Sequence, residues 1–220
     1  MTRPRALVLR PAPGNARTCA ALAAAGLEPV ALPLFDIVPC AWVAPDPAGY
    51  DALLLTSAQA VRHAGAGLAR LAGLPVVAVG AATATAAREA GLRVALVGAG
   101  DAAAAVAQTA AFPRLLHLAG RDHVPQPGVD TLTVYASDAL PVTMQAIAAA
   151  LDAVVLLHSA RAAHRFVELA GALPRSRVRI AAISPAVAAA AGDGWGRIGG
   201  AARPGDAALI DVAVRLAIDR

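Results

Sequence analysis

Several short apolar runs in this 220-residue chain end in a small hydroxyl, a glycine or a cation. Arg10 follows Ala6 to Leu9, Thr56-Ser57 follows Ala52 to Leu55, and Gly80 with Thr83 follows Val76 to Val79. Gly98 follows Val94 to Val97, His158-Ser159 follows Ala153 to Leu157, and Ser184 follows Arg179 to Ile183. The stretches after them are alanine-rich and suited to helices. A helix start presents amides without intrahelical partners and the positive end of the helix dipole, so such positions suit carboxylates or phosphates. Arg10, Ser57, Gly80, Thr83, Ser159 and Ser184 are therefore the candidate anion-binding residues. Ser57, Ser159 and Thr83 are equally suited to plain capping or first-turn positions.

Other chemistries have weaker support. The sequence has no nucleophile elbow, P-loop or HExxH motif, and His117, His123, His158 and His164 show no ligand spacing, so each is expected to be packed or at the surface. Cys19 and Cys40 form neither a CxxC pair nor a Cys/His cluster, which argues against a disulfide framework or a zinc site. Gly98-Ala-Gly100-Asp-Ala-Ala103 superficially fits a dinucleotide fingerprint, but its counterpart at Gly205-Asp206-Ala207-Ala208 lacks the first glycine. Asp101 and Asp206 fit better as paired N-caps. No cofactor and no metal are expected.

Composition narrows the class further. Hydrophobic residues make up 58%, which excludes disorder, and the length allows two lobes that each bury a core. The mean hydropathy of +0.59 comes largely from alanine. The longest uncharged run, Leu71 to Ala87, is broken by Gly73, Pro75, Gly80 and two threonines, so no membrane span is expected. Arg3 and Arg5 precede an apolar run too short for a signal peptide, which points to the cytoplasm. The net charge of +4 favours an anionic partner. All basic side chains are scattered arginines and only 3% of residues are aromatic, so a nucleic-acid partner is not expected.

Short strand-like runs alternate with helical stretches, often closed by glycine, as in an α/β fold with mostly parallel sheets. Strands are expected at 6–9, 29–32, 52–55, 76–79, 94–97, 115–118, 153–157 and 179–183, with a weak one near 197–198. Helices are expected at 15–25, 58–71, 81–90, 101–110, 160–171, 185–191 and 206–218. Prolines at 33, 39, 45 and 47 mark a crossing between lobes near 34–39, and the extended stretch beginning at Leu132 marks the return.

An internal repeat of about 100 residues organises these elements. Asp51-Ala-Leu-Leu-Leu-Thr-Ser57 resembles Asp152-Ala-Val-Val-Leu-Leu-His-Ser159, Val77-Ala-Val-Gly80 resembles Ile180-Ala-Ala-Ile-Ser184, and Gly100-Asp-Ala-Ala103 recurs as Gly205-Asp-Ala-Ala208. Two similar α/β lobes, with anion-binding strand ends facing a cleft, are the expected result.

Together these residues resemble the uroporphyrinogen-III synthase family, over nearly the whole chain. The resemblance begins at Arg10-Pro11, Leu22, Gly26, Pro33-Leu34 and Ile37, and runs through Tyr50-Asp51 and Leu55-Thr-Ser-Ala-Gln-Ala-Val61. Val79-Gly80-Ala-Ala-Thr83-Ala84, with Gly91, is its most recognisable part; Gly120-Arg-Asp122, Val134-Tyr135, Ser159 with Phe166, and Ile183 with Pro185 follow. It implies one discontinuous lobe from residues 1–33 and 139–220, a second from 40–131, and two extended linkers at 34–39 and 132–138. It also implies a cofactor-free lyase, monomeric, that closes the linear tetrapyrrole hydroxymethylbilane with inversion of its last ring and loss of water. Tyr135 matches the family's tyrosine after a β-run and is the candidate donor to the departing hydroxyl. The chain departs from the pattern at Leu9 and His158, where threonines are usual, and at Ala119, where arginine is common. Ser184 and Val187 replace a glycine and a threonine, and residues 121–135 are too few for the family's long helix. A non-catalytic anion- or tetrapyrrole-binding protein is the alternative of a different class.

Overall fold

The computed structural model describes residues 3–98 and 102–218. The chain opens with β1 (Arg5–Val8), α1 (Gly14–Ala24), β2 (Glu28–Ala31), β3 (Phe35–Pro39) and β4 (Ala52–Leu55). It continues through α2 (Ala58–His63), α3 (Gly67–Arg70), β5 (Val76–Ala78), α4 (Ala81–Glu89), β6 (Val94–Val97), α5 (Ala102–Ala107), β7 (Leu115–Gly120) and β8 (Asp130–Ala139). The remainder is α6 (Met144–Ile147), β9 (Val154–Leu157), α7 (Ala160–Leu169), β10 (Arg179–Ala182), α8 (Pro185–Ala191), β11 (Arg197–Gly200) and α9 (Asp206–Ile218). The α/β class read from the sequence holds.

The chain divides into two compact units, Met1–Asp36 with Ala139–Arg220, and Ile37–Asp138. In the first, a sheet of order β11-β10-β9-β1-β2 is parallel throughout. Its inner strands β10, β9 and β1 are almost wholly buried and apolar on both faces, as a sheet covered by helices on each side requires. Strand alternation sends Leu7, Leu9, Val155, Leu157 and Ile180 to one face, where they pack with Phe166 of α7 and Val187 of α8. Ala6, Val8, Val154, Leu156 and Ala181 go to the other, against Leu22 of α1 and Leu209 and Val212 of α9.

In the second unit the sheet order is β3-β8-β7-β4-β5-β6. Leu53, Leu55, Val76, Leu116 and Leu118 meet α2 and α4 on one face. The other face is a smaller cluster of Ala52, Leu54, Val77 and Leu115 against Ala105 of α5. Strands β4 to β8 pair in parallel. Strand β3 is antiparallel to β8: Cys40 N donates to Val134 O at 3.0 Å and Leu140 N to Leu34 O at 2.9 Å, positions that rise along one strand as they fall along the other. Residues 34–39 and 132–138, read as extended crossings, lie almost wholly in β3 and β8.

The stretch expected as one helix over 58–71 is two, α2 and α3. Gly65 takes φ +61 and breaks the helical path. Trp42 fixes the break: its Nε1 donates to Ala64 O at 2.9 Å, satisfying a carbonyl at the end of α2, and its ring lies where a Cβ on Gly67 would come within 2.5 Å.

Phe166 is fully buried and its ring stands 5.5 Å from that of Trp195. Phe166→Ala is expected to cost about 3–5 kcal/mol, through lost transfer energy and the cavity left behind. Urea denaturation followed by Trp195 fluorescence, with Trp42 replaced by Phe in both parent and variant, measures it; a loss under ~1 kcal/mol would contradict this account of the core.

Candidate functional site

In the first unit the carboxyl ends of β1, β9 and β10 lead into Arg10, His158-Ser159 and Ser184. The turn after β1 is tied by buried Asn15, whose Nδ2 donates to the carbonyls of Val8 (2.8 Å) and Arg10 (2.9 Å). Arg10 is thereby aimed at α9. Its Nη1 donates to Asp206 Oδ1 at 2.7 Å and Oδ2 at 2.8 Å, and reaches Thr18 Oγ1 at 3.4 Å. Thr18 Oγ1 in turn donates to Asp206 Oδ2 at 3.2 Å. The guanidinium lies so close to α1 that a Cβ on Gly14 would come within 2.4 Å of Arg10 Nε.

His158 completes this group. Its Nε2 is 3.4 Å from Asp206 Oδ1 without the alignment of a hydrogen bond, and its side chain is 8% exposed. Burial, then the Arg10 charge, pushes the imidazole down to about 4 against the opposing pull of Asp206, so it is neutral at pH 7. Asp206, expected as an N-cap, is instead the first residue of α9, and its carboxylate is taken up by Arg10 and Thr18.

The serines cap helices. Ser159 Oγ accepts from Ala162 N at 3.1 Å at the start of α7, and Ser184 Oγ accepts from Val187 N at 3.3 Å at the start of α8. In the second unit Ser57 Oγ accepts from Gln59 N at 3.1 Å at the start of α2. Each hydroxyl thus uses its acceptor side on the backbone and retains an O–H donor. Gly80 is the N-cap of α4 and has no side chain to cap it, so the first amides of that helix have neither an intrahelical nor a side-chain partner. Thr83, in the first turn of α4, is buried at 6% exposure, and Val187 holds the equivalent place in α8 at 7%.

Tyr135 lies in β8, half-buried, where a bulge between Ala119 and Gly120 brings it into register with Gly120. A Cβ on Gly120 would come within 2.6 Å of Tyr135 Cζ, so the missing side chain makes room for the phenol. The His63 ring is 6.4 Å away. None of the described residues takes a hydrogen bond from the Tyr135 hydroxyl. The carbonyl of Gly120 contacts His123 Nδ1 at 2.9 Å. His123 stands edge-on to His117, with ring centroids 5.8 Å apart. His117 is 1% exposed, and its Nε2 is 3.1 Å from Thr56 Oγ1. Burial, reinforced by His123, pushes His117 down to about 4 as well.

The structure therefore groups Arg10 with Asp206, Thr18 and His158 in one unit, and Tyr135 with Gly120 in the other. The Arg10–Asp206 pair spans 196 positions and no sequence pattern marks it. The glycine-rich stretch from Gly98 includes residues 99–101, which lie outside the described residues, as does Asp101. Among the described residues no three His, Cys, Asp or Glu side chains gather as a metal site, and no helix is long and apolar enough to cross a membrane.

The family model for uroporphyrinogen-III synthase HemD matches residues 16–211. The chain belongs to the uroporphyrinogen-III synthase family. Its activity is the closure of hydroxymethylbilane to uroporphyrinogen III, a cyclising lyase reaction of tetrapyrrole and heme biosynthesis on a small tetrapyrrole substrate. The fold agrees: the structure is similar to that of uroporphyrinogen-III synthetase from Helicobacter pylori, with a TM-score of 0.68 and 18% identity over 98% of this chain and 100% of the other. A mutant uroporphyrinogen III synthase from the extremely thermophilic bacterium Thermus thermophilus matches with a TM-score of 0.53 and 21% identity over 94% of this chain and 95% of that one. No curated protein gives a significant sequence match.

Both buried histidines have folded values below the ordinary 6.5, so the unfolded chain binds protons first as pH falls. Their stabilisation is complete above about pH 6.5 and is lost as pH falls towards 4. The Arg-paired Asp51 and Asp152 are held below the usual carboxylate value and act only at lower pH. Urea midpoints between pH 7 and 4.5 are expected to fall by an amount equivalent to roughly 2 kcal/mol for each histidine, and less in a His117→Gln/His158→Gln variant. An unchanged slope in that variant would refute the assignment.

Proposed function

We propose that Tyr135 assists departure of the terminal hydroxyl of hydroxymethylbilane, and that the helix starts beyond the parallel strands hold the substrate's carboxylates. What supports Tyr135 is a phenol seated by Gly120 whose hydroxyl has no hydrogen-bond partner among the described residues. A phenol is ordinarily protonated at neutral pH, with a pKa near ~10, and can donate to a leaving oxygen. The carbon–oxygen bond breaks with its electron pair on oxygen, the Tyr135 proton joins it, and water leaves. The azafulvene cation that remains is attacked by the substrate's own last ring, forming a spiro intermediate that fragments, recloses with that ring inverted and loses one proton, which balances the one Tyr135 gave. Uncatalysed closure gives the uninverted isomer, so holding the chain in one conformation is the larger part of the work.

Carboxylate binding falls to three kinds of donor. The amides at the start of α4, uncapped at Gly80, meet an anion with the positive end of a helix dipole, with Thr83 in the same turn. The O–H groups of Ser57, Ser159 and Ser184, whose oxygens accept backbone N–H groups in caps, each retain a proton to donate. Arg10 contributes charge at the end of β1, tempered by the two hydrogen bonds Asp206 takes from it. One chain carries every residue of this set, and the enzyme acts as a monomer in this reading.

The decisive assay generates fresh hydroxymethylbilane with porphobilinogen deaminase, adds this protein, oxidises the product and separates uroporphyrin isomers I and III. Tyr135→Phe is expected to lower the rate of isomer III formation by about 10²-fold or more while leaving the thermal midpoint within a few degrees. Unchanged isomer III formation would remove Tyr135 from the mechanism. In the same assay, Ser57→Ala and Ser159→Ala are expected to raise KM several-fold with kcat little changed, since carboxylate contacts act equally on substrate and transition state. A fall in kcat at constant KM would place those hydroxyls at the reacting centre instead.

A further inference from the structure

The opposite edge of the five-stranded sheet, where strands begin, holds a cavity of about 640 Å³ lined by none of the residues assigned above to the synthase reaction. Arg3, Arg5, Glu28, Asp152 and Arg179 line it. Arg5 and Glu28 are register partners at the starts of β1 and β2, and Arg179 opens β10. All lie one strand length from Arg10, Ser159 and Ser184, which follow β1, β9 and β10.

Backbone carbonyls take the hydrogen bonds of Arg5 and Arg179. Arg5 Nη2 donates to the carbonyl of Leu151 at 2.8 Å. Arg179 donates from Nη1 to the carbonyl of Leu216 in the last turn of α9 at 2.9 Å, and from Nη2 to the carbonyl of Asp152 at 2.8 Å. Asp152 holds its carbonyl there from a left-handed backbone, φ 59. Carbonyl dipoles orient a guanidinium but do not neutralise it. The Asp152 carboxylate, which could, is engaged by Arg177 through Nε at 3.1 Å and through Nη2. With Arg177 counted beside Asp152, four arginines stand against the carboxylates of Glu28 and Asp152, whose charge Arg5 and Arg179 also feel, so the balance at the cavity is positive, and Arg5 and Arg179 are already fixed in direction with N–H groups to spare.

The repeat supplies an internal control. In the second unit Asp51 precedes the central strand as Asp152 does, and it too is paired with an arginine, Arg114, at 2.7 Å. The pairing registers place Leu115 of β7 where the first unit has Arg5, and the repeat alignment places Val76 of β5 where it has Arg179. Both are buried and apolar. One Asp–Arg clamp is therefore enough to build this sheet edge, and Arg5 and Arg179 exceed what the frame requires.

We propose that this cavity binds a small polyanion bearing phosphate or carboxylate groups, held by the guanidinium forks of Arg5 and Arg179 with Arg3 at the rim. Arginine suits this role because its planar fork matches two oxygens of either group. The volume lies within the ~300–1,000 Å³ usual for small-ligand sites. The ligand is bound at the strand-start edge and leaves the strand-end residues of the reaction untouched.

Calorimetric titration of the full chain with pyrophosphate and, separately, with citrate tests it, alongside amide chemical shifts. Binding of either with one site and a dissociation constant below about 1 mM is expected, with shifts centred on Arg5, Glu28 and Asp152. Response to pyrophosphate alone identifies phosphate as the recognised group, and response to citrate alone identifies carboxylate. Arg5→Gln/Arg179→Gln is expected to weaken binding at least tenfold, and Arg114→Gln in the other unit to leave it unchanged. Arg3 is exposed, so Arg3→Gln keeps the test open should the double variant not fold; it is expected to weaken binding several-fold while isomer III formation without added anion stays the same. Absence of binding by both anions, undiminished binding in Arg3→Gln, or shifts centred on Ser159 and Ser184 would each overturn the proposal.

Discussion

The amides at the starts of helices that follow parallel strands are the constraint on which the site rests. A strand that continues through a right-handed crossover to a parallel neighbour delivers each helix start to the same edge of the sheet. In the first unit that edge receives Arg10, Ser159 and Ser184, and in the second Ser57 and Gly80. A helix-start amide takes a serine oxygen where one is present and otherwise meets water or a ligand at the edge. Glycine at position 80 leaves α4 without a side-chain cap. The apolar faces beneath, Leu53 and Leu55 in one unit and Val155 and Leu157 in the other, hold the strands rigidly enough for those amides to be fixed in direction.

Much of this was legible in the sequence because it depends on local rules. Continuous apolar runs of four or five residues gave β1, β4, β5, β7, β9 and β10, the alanine-rich stretches after all of these but β7 gave helices, and the repeat at Asp51 and Asp152 gave the kinship of the two sheets. Where non-local contacts decide, the sequence was mute. Nothing near Gly65 indicates that Trp42 will take the carbonyl of Ala64 and turn one helix into two. Phe35 to Pro39 contains two residues poor at central strand positions, yet β3 forms because it lies at the sheet's edge and needs only β8 as a partner.

The polar groups divide along the same line. Serine at a strand end followed by a helix is a local signal, and Ser57, Ser159 and Ser184 stand where such a signal puts them. His158 and His117 carry no signal of their own. Their neutral state follows first from burial in the folded units, helped by the charge of Arg10 for the first and by His123 for the second. The departure of His158 from the family's threonine acquires a physical meaning only in the fold, because the imidazole fills the space beside the Arg10–Asp206 pair while remaining uncharged.

The two units show how one frame carries different polar contents. Their central strands, β4 and β9, are fully buried and interchangeable in character, and each is preceded by an aspartate held by an arginine. At the strand ends the hydroxyl moves from the first turn to the cap: Gly80 with Thr83 in one unit becomes Ser184 with Val187 in the other. At the strand starts the difference is in charge, with Leu115 and Val76 in one unit and Arg5 and Arg179 in the other. A substitution in the buried middle of a strand would cost packing on both faces, whereas the two edges meet water or a ligand and accept new chemistry at little cost to the core. A sheet built this way has two edges whose polar contents vary independently, helix-start amides at one and guanidinium groups at the other.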